Sequence, residues 1–136
     1  MNLKLLPLLI ALAWLQPLAA ETLNIRMIRG CHEVEETPHE LNDIATTLQK
    51  TLAFKGYLLD ATATVNLPAD EAKATLRIYE VTCSGTAERL TIKIMRRNKT
   101  ILDTVATVRP GRPVILGGFP ARNNEGVRMF VLTIAP

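Results

Sequence analysis

From Tyr57 to Val108 apolar and polar residues trade places at every second position, in short runs separated by turn residues, and this restricts the chain to a mostly β fold. In the first run Leu59, Ala61, Ala63, Val65 and Leu67 stand on one side, with Asp60, Thr62, Thr64 and Asn66 on the other. Pro68-Ala69-Asp70 interrupts it, and Ala74, Leu76 and Ile78 then alternate with Lys73, Thr75, Arg77 and Tyr79 in a strand that reads as ending at Ser84-Gly85. Arg89 to Arg96 repeats the pattern, Arg97-Asn98-Lys99 supplies a turn, and Ile101 to Val108 returns, which predicts a hairpin. After Pro110-Gly111 come Val114-Ile115-Leu116 and Gly117-Gly118, and after the polar turn Arg122 to Gly126 the chain ends on Val127 to Ile134.

Ahead of this region, Leu23, Ile25 and Met27 alternate with Asn24, Arg26 and Ile28, a strand expected to bury one face. The period then changes. Thr37-Pro38-His39-Glu40 has the makings of a helix start, with Thr37 as cap, Pro38 at the first helical position and Glu40 completing a capping box. Leu41, Ile44, Ala45, Leu48 and Leu52 form one stripe, and the helix should stop near Phe54, ahead of Gly56. The expected fold is therefore α+β but mainly antiparallel β, a sandwich or strongly curled sheet of seven strands with one packed helix.

The N-terminus reads as a cleaved signal peptide, residues 1–20. Lys4 is the only charge before Glu21, Leu5 to Leu15 is apolar apart from Pro7, and Gln16-Pro17 then precedes the small pair Ala19-Ala20. Gln16-Pro17 also cuts the apolar run short of the ~20 residues needed to cross a bilayer, so no stable transmembrane anchor is expected. Residues 21–136 are an ordinary length for a single β-rich domain. With 16 Lys and Arg against 13 Asp and Glu, and only Lys4 lost with the leader, that domain is mildly basic. The expected destination is the bacterial periplasm or the medium.

Cys31 and Cys83 are the only cysteines. An exported compartment permits a disulfide, and a Cys31–Cys83 bridge is expected; it would stabilise the domain by roughly 4 kcal/mol if the strands bring the two within range. The alternative is a pair of buried thiols. Cys31, His32, His39 and Cys83 are too irregularly spaced for a metal site, and neither metal nor cofactor is expected.

Val108-Arg109-Pro110-Gly111-Arg112-Pro113-Val114-Ile115-Leu116-Gly117-Gly118-Phe119 resembles the signature of the bacterial secretin family, the outer-membrane channels of type II and type III secretion and of pilus machines. The residues that carry the likeness are Gly111, Val114, Leu116, Gly117 and Gly118, and Arg128 to Pro136 is similar to the family's closing strand. Secretins place a long segment between these strands, including a hairpin of the gate, whereas here only the link around Arg122 to Gly126 stands there. The resemblance thus implies shared ancestry of a β-domain and no pore. A Gly-Gly pair after a β run also marks a bulge or tight turn where no side chain fits.

Charge is unevenly distributed. Glu33, Glu35, Glu36, Glu40 and Asp43 cluster with no Lys or Arg among them, while Arg89, Lys93, Arg96, Arg97, Lys99, Arg109 and Arg112 face only Asp103. Arg96, Arg97 and Lys99 at a hairpin tip are candidate partner-binding residues, able to steer an acidic partner; exposed cations also discourage edge-to-edge pairing of strands. Nucleic acid is a poor fit, because aromatic residues make up 4% of the chain. Ser84, the only serine, sits in no nucleophile motif, His39 reads as helix-terminal surface, and Glu33, Glu35 and Glu36 have nothing to separate their acidities. No catalytic residue is assigned. The leading expectation is an exported, non-catalytic protein-interaction module, an accessory of a secretion or pilus apparatus that binds another envelope protein. A small ligand- or ion-binding sandwich and a hydrolase with an unfamiliar site are the alternatives.

Overall fold

A computed structural model of the chain describes residues 20–31, 38–52, 54, 56–120 and 126–135. Residues 1–19 of the expected leader, His32 and the acidic connector Glu33, Glu35 and Glu36 with Thr37 lie outside the described residues. Among those described, the order of elements is β1 (Glu21–Cys31), a 3₁₀ turn (His39–Leu41), α1 (Asn42–Thr51), β2 (Gly56–Leu67), β3 (Ala69–Leu76), β4 (Tyr79–Gly85), β5 (Leu90–Arg96), β6 (Lys99–Ala106), β7 (Val114–Pro120) and β8 (Val127–Ile134). The fold is mostly antiparallel β with one short helix, and it has eight strands where the alternation predicted seven.

The missed strand break lies at Arg77-Ile78. Leu76 pairs directly with Tyr79, so two residues close a hairpin in the middle of what reads as one strand. Arg77 takes φ +56°, a left-handed conformation that glycine or asparagine normally supplies at such turns. Without a turn residue and with apolar Ile78 in phase, nothing in the sequence marks it.

The eight strands form two sheets, ordered β2-β1-β8-β7 and β3-β4-β5-β6. Pro68, which cannot donate to a ladder, stands where the chain passes from one sheet to the other. The inward residues of both sheets merge into one core, with Leu23, Ile25, Met27, Phe130, Leu132 and Ile134 from the first packing on Leu76, Tyr79, Val81, Leu90, Ile92 and Ile94 from the second. Phe130 lies near its centre, edge-to-face with Tyr79 at 5.3 Å and with Phe119 at 6.2 Å between ring centroids.

The opposite face of the first sheet is covered too. Ile28, Tyr57, Met129 and Val131 pack beneath Leu41, Ile44 and Leu48 of the helical segment. Ile28, which alternation placed with the polar residues, is fully buried, and Met129-Phe130-Val131-Leu132 is a continuous buried run because a central strand with both faces covered has no solvent side. The helix starts differently from the capping-box expectation. Pro38 stays extended outside the first turn, the Leu41 amide donates to its carbonyl at 3.0 Å, and α1 proper begins only at Asn42. At the other end the Leu48 carbonyl accepts the Leu52 amide at 2.9 Å and, as a second bond, the Tyr57 hydroxyl at 3.1 Å, which ties the last turn to the second core.

Cys31 and Cys83 are not bonded to each other, which overturns the predicted disulfide. The register shows why. Cys83 faces the inter-sheet core opposite Ala72 and Ile92, beside the crossover at Pro68. Cys31 pairs with Gly56 at the far end of β1, whose other end, Glu21, pairs with Leu67 at that same crossover. Some eight residues of strand, about 25 Å, separate the two levels, against a Cα separation below about 7 Å for a bridge. Burial pushes the Cys83 thiol up to about 11.

Two outcomes follow. In native protein at neutral pH, Cys83 should stay unlabelled by a thiol reagent that modifies it at once in denaturant; native labelling at the rate of a free peptide thiol would contradict its place in the core. Phe130→Ala should lower unfolding stability by about 3–5 kcal/mol, measured by urea titration, because the ring joins both sheets.

Candidate interaction surface

The β5–β6 hairpin is closed by Arg97 and Asn98, both left-handed at φ +49° and +62°, the two-residue turn whose twist suits antiparallel strands. Arg97 and Lys99 are exposed and Arg96 is half-buried, so the three candidate partner-binding residues are brought together at one tip. The residues of the secretin-like segment occupy a turn and an edge. Gly111 (φ +75°) lies in a tight turn where the Arg112 amide donates to the Arg109 carbonyl at 3.1 Å. Val114 and Leu116 lie on β7 with their side chains toward the inter-sheet core, opposite Leu132 and Phe130. Gly117 and Gly118 sit at φ +102° and +129° in a bulge, and a Cβ on Gly117 would collide with the Phe119 ring, which folds back there toward Tyr79 and Phe130. The Gly-Gly pair thus has a local packing cause.

The two sides of the double sheet differ. On one side β2 runs directly into β3, Val65, Leu67, Ala74 and Leu76 near the crossover are buried, and the partly covered inward positions are alanines (Ala61, Ala63, Ala69 and Ala72). On the other side β6 and β7 are the edge strands, joined only through the 107–113 segment. Inward on this side, Leu102 of β6 and Val114, Leu116 and Phe119 of β7 are large, yet only partly buried, and β6 continues inward with the smaller Thr104 and Ala106. Of the four edge strands, β3 carries Asp70, Glu71 and Lys73 and β6 carries Lys99 and Asp103, whereas β7, Val-Ile-Leu-Gly-Gly-Phe-Pro, carries no charge and the single charge of β2, Asp60, is buried. Charged edge residues are the usual guard against strand addition, and β7 lacks them. Basic residues bracket this side, with Arg109 and Arg112 at the β6–β7 turn and Arg97 and Lys99 at the opposite end.

Two ionic groups that sequence reading did not single out hold the layers together. Arg26 on β1 reaches the helix, making two 2.7 Å hydrogen bonds to the carboxylate oxygens of Asp43, one to the Glu40 carbonyl at 3.3 Å and one to Thr133 Oγ1 at 3.2 Å. This forked donation holds the Asp43 carboxyl below its ordinary value of 3.8. Arg29 and Arg128 face each other across β1 and β8, and each Nε lies 3.6 Å from Asp60 Oδ2, a carboxylate almost fully buried at a bulge in β2. Arg77 of the β3–β4 turn donates its Nε to the Asp60 carbonyl at 3.0 Å, tying the second sheet to the same point. The clue in the sequence is that Arg29 and Arg128 belong to strands expected to be largely buried, where a cation needs an acid beside it.

The residues weighed for catalysis have local partners. Ser84 Oγ accepts the amide of Glu71, which bulges at φ +51°, and His39 Nδ1 lies 2.7 Å from Asn42 Nδ2 within the helical segment. Among the described residues no group of three or more His, Cys, Asp and Glu side chains is placed to hold a metal ion, and no helix is long and apolar enough to cross a membrane. Comparison with protein-family models, with curated proteins and with solved structures finds no match.

Because the folded state holds the Asp43 proton affinity below that of the unfolded chain, the Arg26–Asp43 pair stabilises above the ordinary carboxylate range and that contribution is lost as pH falls below about 4. Asp43→Asn should therefore cost up to about 1 kcal/mol at neutral pH, the pair being half-exposed, and the gap to the parent should close towards pH 2. A gap that widens on acidification would reverse the sign of the pair's contribution.

Proposed function

We propose that the chain is an exported, non-catalytic protein-interaction module, an accessory of a secretion or pilus apparatus, that binds another envelope protein through the β6–β7 side of its double sheet. The observation that carries this reading is the uncharged edge strand β7 beside half-covered Leu102, Val114, Leu116 and Phe119. An edge of this kind is costly to leave bare in a monomer, because it offers unpaired backbone groups and apolar side chains to any strand that meets it. Its position next to basic residues supplies orientation and speed of encounter with an acidic surface.

Export is supported by the order Lys4, the apolar run, Gln16-Pro17 and Ala19-Ala20. The likeness of residues 108–119 and 128–136 to the secretin signature supports the setting, and those segments contain β7 and β8, the edge strand and the strand it rests on.

The test is to express the full chain in a Gram-negative host, recover it from periplasm and membranes, and combine intact mass with chemical crosslinking in the envelope. The reading predicts a mass beginning at Glu21 and one reproducible crosslinked envelope protein that survives competition with unlabelled mature chain. Full-length protein retained in the cytoplasm, or a mature monomer with no specific crosslink, would contradict it.

A further inference from the structure

The β6–β7 side is specific about what it can accept. An added strand beside β7 would extend the sheet β2-β1-β8-β7 by one and lay alternate side chains over the half-buried rim formed by Leu102, Val114, Leu116 and Phe119. The regular stretch of that edge is Val114–Leu116, next to the Arg109–Arg112 turn, because the bulge at Gly117–Phe119 breaks the ladder below it. β7 spans about 20 Å, with Arg109 and Arg112 at one end of this side and Arg97 and Lys99 at the other.

We infer that this side is a strand-acceptor site for an extended segment of a heterologous protein whose apolar residues alternate with polar ones and whose ends are acidic. The inference rests on the interaction reading and names the chemistry of its partner. Main-chain pairing to Val114–Leu116 supplies affinity, the apolar residues cover the open rim, and carboxylates at the segment's ends meet the guanidinium and ammonium groups at both ends of the site. A second copy of this chain fits poorly. An antiparallel β7–β7 pair brings Arg109 and Arg112 of each copy to the far end of the other's β7, the end of this side that already holds Arg97 and Lys99, and β7 itself offers no acid in answer. The outer face of the second sheet also exposes Ile78 and Val105, but as separate residues among charged and hydroxyl side chains, the ordinary composition of a wetted surface.

The probe is a synthetic peptide of about seven alternating Val and Thr residues with two Asp at each end, fluorescently labelled and titrated with the mature full-length domain. Its counterpart carries Lys in place of Asp. The acid-ended peptide should bind with an affinity that falls about tenfold between about 50 and 300 mM salt, and the Lys-ended one should bind at least about tenfold more weakly. Arg109→Glu with Arg112→Glu, both at exposed positions that leave the core untouched, should exchange the two preferences. Amide NMR shifts should concentrate on Val114–Leu116. Equal binding of the two peptides, shifts centred on β2 or β3, concentration-dependent dimerisation of the domain through β7, or no binding of either peptide would each overturn the strand-acceptor site. The envelope crosslink tests for a protein partner without reference to these peptides, so loss of the strand-acceptor site and loss of the interaction module are read from different experiments.

Discussion

Burial of both faces of β1 and β8 is the constraint on which the rest of the molecule depends. These strands form the middle of the first sheet, with the second sheet against one face and the helical segment against the other. Each additional layer removes water from side chains that a two-layer fold would leave wet, at roughly 25 cal/mol for every Å² of apolar surface covered. The consequence is that polar groups on these strands must be answered where they stand. Arg26 is answered by Asp43 across the helix interface, and Arg29 and Arg128 share the carboxylate of Asp60 on β2, the strand beside β1. Removing one partner from such a pair leaves a buried charge, so the ionic contacts fix how the layers sit more than they add to stability.

Much of this architecture is legible in the sequence. Alternation of period two marks β1, β2, β5 and β6, the Arg97-Asn98 turn marks the β5–β6 hairpin, and the Leu41, Ile44 and Leu48 stripe marks the helix and the face it buries. The failures have physical reasons. Arg77-Ile78 turns the chain with a residue forced into a left-handed conformation, which composition does not announce. Ile28 looked like a member of the polar side because one residue cannot reveal that a third layer will cover that side. The Cys31–Cys83 bridge failed because register is a long-range property: two cysteines on facing elements can still stand at opposite ends of the strands.

The candidate surface was legible only in part. The basic tip at Arg96, Arg97 and Lys99 and the Val114 to Gly118 segment were both visible as residues, but sequence order does not disclose that β6 and β7 end up as the two edges on one side. That placement turns an unremarkable aliphatic run into an uncharged edge with a half-open core beneath it. Gly117, which reads as part of a family signature, also makes room for the Phe119 ring, and Gly118 takes φ +129° in the bulge, so both glycines have a local cause independent of ancestry.

One side of the double sheet is closed by the continuous chain at Pro68, and the other ends in the edge strand β7. Native-state hydrogen exchange on the unliganded domain tests it most directly. The amides of β1 and β8 should exchange only through global unfolding, while outward-pointing amides within Val114–Leu116 should exchange many orders of magnitude faster, through local fluctuation alone. Protection of every β7 amide to the same level as β8 would mean that this edge is already covered, and the account of an open acceptor side would be wrong.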